Sequence, residues 1–302
     1  MSVGTKPILV LGGPTAAGKT DAAIAVAQRW RGVRLVSADA MQVFRGFDIG
    51  TGKPDPATLA AAPHACIDVR EAHEPYSAAD FAADADAIIA QHDRVVVVGG
   101  TGFYLRALLV GLAPAPSADP ALRAELEAKD DPHAELSRVD PVMAARLHPN
   151  DRVRVVRALE VFYKLGRPFS EVQAEHAFEV PRHEASRLWL DRADLEERID
   201  RRVLQMVAQG YVAEVQGLLA RGVSPESRPM RSLGYRWMVA HLHAGLPLDE
   251  AIAGTQRDTR RFARKQRLML RSIGGFTRIE DDHLGPVLDE ATRLFGPPDR
   301  AL

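Results

Sequence analysis

The apolar residues of the N-terminal third fall into short runs separated by longer, alanine-rich segments. Residues 8–11 and 33–37 are short and mostly apolar, and residues 95–98 are four consecutive valines, which predicts three buried β-strands. Residues 20–30 and 78–92, which lie between these runs, have the composition of helices. An alternation of strand and helix is typical of a parallel sheet covered by helices.

The pattern changes after residue 112. Residues 113–120 contain three prolines and are typical of a linker, and residues 121–179 show helical periodicity without a convincing strand. Residues 187–190 predict a further strand, and helices are expected from residue 195 to the end. We therefore expect a core formed by residues 1–112 and 187–302, with a helical C-terminal part, and a helical insertion domain at 113–186.

A phosphate-binding motif lies between the first predicted strand and the first predicted helix. Its eight residues match G-x-x-x-x-G-K-[ST]: Gly13, Pro14, Thr15, Ala16, Ala17, Gly18, Lys19 and Thr20. The glycines let backbone N–H groups point at a diphosphate, the Lys19 ammonium can neutralise its oxygens, and the Thr20 hydroxyl can bind Mg²⁺. The expected fold class is therefore α/β, a P-loop NTPase-like parallel sheet flanked by helices.

Two signals that common P-loop proteins need are missing from the chain. A GTPase reads its base with an Asn-Lys-x-Asp motif, but the only asparagine is Asn150, which is followed by Asp151. An ATPase normally has a Mg²⁺-binding aspartate at the end of a strand. Here the valine strand ends in Gly-Gly-Thr-Gly, with Thr101 as its polar residue. The sequence therefore does not favour nucleotide hydrolysis.

Asp39 follows the second predicted strand. Because ligands bind outside the carboxyl ends of parallel strands, Asp39 is expected beside the phosphate-binding loop and Thr101. A carboxylate at this place suits a general base that acts on an acceptor. The alternative is an aspartate that caps the next helix, and the residues alone leave both interpretations open.

Six motifs occur in order along the chain. They are the phosphate-binding loop, Ser-Ala-Asp-Ala-Met-Gln at 37–42, Asp-Ile-Gly-Thr-Gly-Lys-Pro at 48–54, Tyr-Ser-Ala-Ala-Asp-Phe at 76–81, Gly-Gly-Thr-Gly at 99–102 and Leu-Gly-Tyr-Arg at 233–236. Together they resemble the tRNA dimethylallyltransferases, also called tRNA isopentenyltransferases. The resemblance implies transfer of the dimethylallyl group of dimethylallyl diphosphate to N6 of the adenosine 3′ of the anticodon, in tRNAs that read codons beginning with U.

The resemblance also implies a role for each matching residue in this reaction. Asp39 matches the general base, and Thr101 matches a threonine near the bridging oxygen of the diphosphate. Lys19 and Arg231 match residues that bind the diphosphate, whose Mg²⁺ ion would be held by Thr20.

The resemblance and the pattern of basic residues together predict a tRNA-binding set. It consists of Asp39, Ala40, Met41, Gln42, Thr101, Arg123, Arg154, Arg157, Arg260, Arg264 and Lys265. Two basic stretches agree with it: residues 251–272 have seven basic residues against one acid, and residues 146–167 have six against two. Within the first stretch Arg257, Arg260, Arg264, Arg267 and Arg271 recur at helical spacing, in an arc of about 80° on a helix. Such a stripe suits an RNA backbone.

Composition does not contradict an RNA partner. The net charge is −1 because acidic stretches balance the basic ones; residues 113–140 have seven acids against three bases. The single cysteine, Cys66, excludes an internal disulfide, and no apolar run reaches the length of a membrane span. We expect a cytoplasmic monomer that does not enter a membrane.

Two alternatives to prenyl transfer are considered. A small-molecule or nucleoside kinase would use the same loop for ATP, with Asp39 as base to a hydroxyl, but it does not account for the ordered motifs or the basic stripe. A non-enzymatic RNA-binding protein with a degenerate loop is disfavoured because Lys19, Thr20 and Asp39 are all intact.

Overall fold

The computed structural model describes residues 7–176 and 180–300, and within them the chain forms six strands and fourteen helices. The strands are β1 (Ile8–Gly12), β2 (Val33–Ser37), β3 (His64–Ala65), β4 (Arg94–Gly99), β5 (Ala185–Asp191) and β6 (Thr277–Glu280). The helices before β5 are α1 (Lys19–Arg29), α2 (Pro56–Ala61), α3 (Ala78–Gln91), α4 (Gly102–Val110), α5 (Pro120–Glu127), α6 (Pro132–Val139), α7 (Pro141–Arg146), α8 (Arg152–Leu165) and α9 (Phe169–His176). Those after it are α10 (Leu195–Ala208), α11 (Tyr211–Ala220), α12 (Tyr235–Ala244), α13 (Leu248–Ile273) and α14 (Leu284–Phe295).

The chain divides into two compact units, with the divisions after Leu109 and before His183. The unit between these points contains helices and no strand among its described residues. Residues 177–179, which the sequence analysis assigned to the helical stretch, lie outside the described residues. The domain boundaries at 113 and 186 stay a prediction. In the described part of the chain no helix combines the length and the apolar character needed to cross a bilayer.

All six strands belong to one parallel sheet, in the order β3-β2-β4-β1-β5-β6. The strands predicted at 8–11, 33–37, 95–98 and 187–190 are confirmed, and so are the helices predicted at 20–30 and 78–92. In this order β4 lies between β2 and β1, so the three segments that follow these strands are brought to the same edge of the sheet.

The expectation that only helices follow residue 195 is wrong, because β6 extends the sheet beside β5. Its four residues, Thr-Arg-Ile-Glu, include a single apolar side chain, and three of the four are exposed. So short and polar a segment has no hydrophobic alternation to reveal it. It becomes a strand because β5 offers it the backbone groups of an open edge.

A hydrophobic core holds the start of α1 against the sheet. Leu9 and Leu11 of β1 pack in one cluster with Ala23 and Val26 of α1. The small alanine side chains of α1 allow the helix to lie close to the strands. Because both elements are fixed by this core, the phosphate-binding loop that connects them has little freedom in where it begins and ends.

The motif at 76–81 has a structural explanation. The Ser77 hydroxyl accepts a hydrogen bond from the Asp80 N–H, and the Asp80 carboxylate accepts one from the Ser77 N–H, which forms a capping box at the start of α3. Phe81 stacks on Tyr104, with 4.6 Å between ring centroids, and so joins α3 to α4. These contacts fix the position of α4, whose first residue follows Thr101.

The acidic character of residues 113–140 is explained in part by helix capping. Asp119, Asp131 and Asp140 each precede a proline, and each caps the helix that the proline begins, α5, α6 and α7. Proline suits the first helical position and aspartate the position before it. Pro120, which the sequence analysis assigned to a linker, is thus the first residue of α5.

Candidate active site

The phosphate-binding loop, Asp39 and Thr101 lie together at the carboxyl edge of the sheet. The register pairs Gly12 with Gly99 and Ser37 with Val98, so β1, β2 and β4 end at the same level. Across the gap after β2 and β4, the Thr101 N–H donates to the Ala38 carbonyl at 3.1 Å. The Ala40 N–H donates to the Thr101 hydroxyl at 3.0 Å. The Thr101 hydroxyl therefore keeps its own proton available for a further acceptor.

The two glycines before Thr101 are needed for this close approach. A Cβ at Gly99 would overlap the carbonyl of Ala38, and one at Gly100 would overlap the amide of Gln266. Both obstacles are packed groups inside the fold, so a side chain at either position would separate Thr101 from Asp39.

The phosphate-binding loop is held from outside by two long side chains. The Thr15 N–H donates to Oε1 of Gln266 at 2.9 Å, and Nε2 of Gln266 donates to the Gly100 carbonyl at 2.8 Å. Nε of Arg198 donates to the Ala16 carbonyl at 2.9 Å. Within the loop, Lys19 Nζ donates to the Pro14 carbonyl at 2.7 Å. These bonds hold the loop and use only one of the three donors of the Lys19 ammonium.

A cavity of about 380 Å³ opens beside the loop and is strongly cationic. Its lining consists of Ala16, Gly18, Lys19, Thr20, Asp21, Gly52, Arg198, Arg201, Arg202 and Gln205. The three arginines come from α10, and none of them is among the site residues predicted from the sequence. Their spacing i, i+3, i+4 on an amphipathic helix was the signal that could have found them.

The lining of the cavity carries more positive than negative charge, because Lys19 and three arginines are accompanied by one carboxylate, that of Asp21. Burial, together with the neighbouring Arg202 guanidinium, lowers the pKa of Lys19 to about 8, although the Asp39 carboxylate opposes the change. Burial also lowers the pKa of Arg202. No hydrogen bond or ion pair to Arg202 is formed within the described residues. An enclosed cation without a partner, such as Arg202, is costly, and a bound anion removes that cost.

The Asp39 carboxylate uses one oxygen in a turn and leaves the other free, so it is not the helix cap that the sequence left open; its role as a base stays a prediction. Its Oδ1 accepts from the Met41 N–H at 2.8 Å, with a longer contact of 3.4 Å from the Gln42 N–H, so it stabilises a turn rather than a helix. Its Oδ2 makes no hydrogen bond to the part of the chain that the structure describes, and it is therefore available to an incoming donor. Gln42 is engaged on both sides: its Oε1 accepts from the Ser37 hydroxyl at 2.8 Å and its Nε2 donates to the Gly52 carbonyl at 3.3 Å.

Arg231 is not brought to the loop with the other candidate catalytic residues. Its side chain is 70% exposed, its ion-pair partner at 4.0 Å is Glu226, and it is not part of the cavity lining. Ala40 and Met41, by contrast, follow Asp39 directly and are partly exposed at the same edge of the sheet.

The basic stripe lies on α13, and most of its charges have partners from distant parts of the chain. Arg260 pairs with Asp200, and Arg264 with Glu196 at 3.0 Å; both acids belong to α10. Arg267 pairs with the fully buried Asp191 at the end of β5, at 2.6 Å. The other two stripe arginines stack on tryptophans, Arg257 on Trp237 and Arg271 on Trp189. Lys265, next to the stripe, is exposed and has no ion pair within the described residues.

The insertion contains three arginines predicted to bind tRNA, and they differ in exposure and in their carboxylate partners. Arg123 and Arg157 both donate to the carboxylate of Glu160, which is fully buried. The Asp119 N–H donates to that carboxylate as well, at 2.6 Å. Arg154 is 74% exposed, and its partner is the neighbouring Asp151 at 3.1 Å.

Known proteins resemble this chain over nearly its whole length. The sequence profile of the IPP transferase family matches residues 42–272. The tRNA dimethylallyltransferase 1 of Citrifermentans bemidjiense is 46% identical over 269 residues, which are 86% of this chain and 87% of the relative. The tRNA dimethylallyltransferase of an Anaeromyxobacter strain is 47% identical over 290 residues, 91% and 93% of the two chains.

Solved structures agree with the sequence relatives. The tRNA isopentenylpyrophosphate transferase of Bacillus halodurans is 31% identical and has a TM-score of 0.69, with 96% of each chain covered. A eukaryotic dimethylallyltransferase acting on tRNA is 25% identical with a TM-score of 0.76, covering 91% of this chain and 74% of that one. The expected P-loop NTPase-like fold is thereby confirmed. The chain belongs to the IPP transferase family, whose relatives named here are tRNA dimethylallyltransferases.

Proposed function

We propose that this protein transfers the dimethylallyl group of dimethylallyl diphosphate to N6 of the adenosine 3′ of the anticodon, in tRNAs that read codons beginning with U. The observation that carries the proposal is the pairing of two features at one sheet edge. One is a cationic cavity with an unpaired Arg202 and a depressed Lys19 pKa, which suits a diphosphate. The other is the free Oδ2 of Asp39, which suits a proton acceptor.

The acceptor nitrogen needs a base. The lone pair of an exocyclic adenine nitrogen is delocalised into the ring, so N6 is a weak nucleophile until its proton is removed. In the proposed reaction the N6 lone pair forms the C–N bond to C1 of the dimethylallyl group, and the N6 proton passes to Oδ2 of Asp39. To reach Asp39 the adenosine must leave its stack, and we propose that Ala40, Met41 and Gln42 contact it there.

The leaving group needs positive charge. When the C1–O bond breaks, its electron pair goes to the diphosphate, and allylic carbon tolerates the positive character that develops on C1. Lys19, Arg202 and the loop N–H groups stabilise the departing anion, while the Thr101 hydroxyl donates to the bridging oxygen. Arg231 is proposed to add a further cation, in line with the resemblance. The chain thus acts on the leaving group rather than on a nucleotide's γ-phosphate.

Mg²⁺ fits this site through a single protein ligand. The Thr20 hydroxyl lines the cavity and makes no hydrogen bond within the described residues. Among those residues there is also no cluster of three or more His, Cys, Asp or Glu side chains that could hold a metal ion. Such a donor set suits an ion that takes most of its ligands from substrate phosphate oxygens and water. Bound there, Mg²⁺ would neutralise charge on the diphosphate.

The tRNA-binding residues are proposed on charge and exposure. Arg154 and Lys265 are exposed and offer their charge directly, whereas Arg123, Arg157, Arg260 and Arg264 offer guanidinium groups already oriented by carboxylates. Binding through phosphates should weaken as salt rises. The cytoplasmic monomer stays a prediction; light scattering after gel filtration tests its oligomeric state.

The experiment that tests the proposed function is a comparison of donors. The purified chain is incubated with unmodified tRNA and Mg²⁺, and with either dimethylallyl diphosphate or ATP, and the digested tRNA is analysed by mass spectrometry. We expect dimethylallyladenosine with the first donor. Phosphoryl transfer from ATP without prenylation would instead establish the kinase alternative and reject the proposal.

A further inference from the structure

Glu214 on α11 binds three consecutive backbone N–H groups of one loop. Its carboxylate accepts from the N–H groups of Asp48 at 2.9 Å, Ile49 at 2.6 Å and Gly50 at 3.2 Å. Its Oε1 also accepts from the Tyr235 hydroxyl at 2.6 Å. Successive N–H groups that converge in this way form a nest for an anion, and here the anion is a side chain of the same protein. We call residues 48–52 the nest loop.

The nest loop leads directly to the cationic cavity. Gly52, at its end, lines the cavity, and a Cβ there would overlap the guanidinium of Arg202. Arg202 therefore rests against the bare backbone of Gly52. Its guanidinium, which makes no hydrogen bond within the described residues, is kept in place by packing of this kind. A displaced nest loop would remove one wall that orients Arg202.

The same loop reaches the turn that contains Asp39. The Gly52 carbonyl accepts from Nε2 of Gln42, and Gln42 in turn accepts from Ser37 at the end of β2. On its other side the loop lies against α11, since a Cβ at Gly50 would overlap the ring of Tyr211. The nest loop is thus packed through its backbone on both sides, and Glu214 accepts from three of its N–H groups.

We propose that Glu214 is a positioning residue for the donor site, which it organises by fixing the nest loop against Arg202. The inference rests on the proposed function, because it takes the cavity beside Arg202 as the place of the donor diphosphate. Glu214 touches neither the cavity nor the reacting atoms, so its effect is transmitted through the loop backbone. Without the carboxylate, the three N–H groups lose one or both of the oxygens that accept from them, and the loop gains conformations in which Gly52 no longer supports Arg202.

Kinetic constants of three variants test the inference. Glu214→Gln keeps the size of the side chain, Glu214→Ala removes it, and Glu250→Gln is a control on an exposed carboxylate of α13. We expect both Glu214 variants to raise the KM for dimethylallyl diphosphate about tenfold or more, with a smaller fall in kcat. Glu250→Gln should leave both constants unchanged. Circular dichroism and assays well below the unfolding temperature separate this effect from a loss of folded protein.

Gly52→Ala provides a second route to the same site. The added methyl group displaces Arg202 without touching Glu214, so it should also raise the KM for the donor. If the wild type prenylates tRNA but folded Glu214→Gln retains the wild-type KM, the positioning role is rejected. A KM defect in the Glu214 variants without one in Gly52→Ala rejects transmission through the loop. If the wild type itself forms no dimethylallyladenosine, it is the proposed function that fails.

Discussion

The carboxyl edge of the sheet and the basic stripe on α13 were both marked by the sequence, yet they differ in how their residues are used. At the sheet edge, Asp39 and Thr101 meet the phosphate-binding loop and keep free atoms facing outward. On α13, Arg260 and Arg267 face acids from α10 and β5 and are already paired.

The difference arises from what fixes each position. Parallel register brings the ends of neighbouring strands to one edge whatever the side chains are, so a motif at a strand end can be placed from the sequence. The spacing of residues predicts which side chains share one face of a helix. It does not predict which element packs against that face. The stretch 251–272 contains one acid of its own, and the acids that pair with Arg260, Arg264 and Arg267 come from other elements. In this protein, a polar or charged residue at a strand end is therefore a better indication of a functional site than a charged residue on a helix face.

The sharpest test of the sheet edge is Asp39→Asn. The variant keeps an oxygen for the Met41 N–H but cannot accept a proton, so we expect kcat to fall about 10²–10⁴-fold. tRNA affinity, measured by filter binding, should change little. Asp289→Asn, on the exposed surface of α14, is the control. A kcat within a few-fold of wild type would show that another group removes the N6 proton.

Arg202→Ala tests the cavity itself. Because Arg202 has no partner within the described residues, its charge is fully available to an anion. Its loss should lower kcat/KM for dimethylallyl diphosphate about 10–100-fold, the range for one charge-assisted hydrogen bond. Arg293→Ala, on an exposed arginine paired with Glu290, serves as the matched control. An unchanged kcat/KM would mean that the diphosphate binds outside this cavity.

The Lys19 ammonium should make the KM for dimethylallyl diphosphate rise with pH. Its pKa is lowered to about 8. In the proposed reaction the protonated form is the one that binds the diphosphate of the donor. Above pH 8 each further unit removes about nine-tenths of the remaining ammonium, so the KM for dimethylallyl diphosphate should rise up to tenfold per pH unit. Below pH 7 it should be constant. Initial rates at saturating tRNA from pH 6.5 to 9.5 measure this, and a flat profile across pH 8 would contradict the assignment.

The proposed donor site could be predicted only in part from the sequence. The loop, Asp39 and Thr101 follow from motifs at strand ends, and the family resemblance supplies their roles. The sequence did not point to Arg202, Gln266 or Glu214, because their contacts are with residues far away in the chain. A carboxylate that binds three backbone N–H groups has no sequence pattern of its own.

In the fold, too, the elements divide into those that the local sequence predicts and those that depend on a neighbouring element. Strands buried on both faces are continuous apolar runs, so β1 and β4 were predicted nearly to the residue. β3 and β6 are short and partly or largely exposed, and they exist because a neighbouring strand offers an edge. In the helical insertion, three Asp-Pro pairs mark helix starts that hydrophobic periodicity alone did not resolve.

The smallest expected effects concern α13, where Lys265→Ala and Arg267→Ala should behave differently. Lys265 is exposed, so its loss should raise the KM for tRNA a few-fold, reduce the slope of log affinity against log salt by about one, and leave stability unchanged. Arg267 shares the buried Asp191 with Arg278. Its loss should lower the free energy of unfolding by about 1–3 kcal/mol.

Both variants are compared by denaturant titration and by tRNA binding at several salt concentrations. The two measurements decide whether Lys265 serves tRNA binding and Arg267 serves stability. If Arg267→Ala is as stable as wild type and weakens tRNA binding as Lys265→Ala does, its pairing with Asp191 gives way to RNA. The stripe would then act as one binding surface, and the contrast between α13 and the sheet edge would disappear. If Arg267→Ala changes stability alone, regular basic spacing on this helix reflects packing against β5 as much as recognition of phosphates.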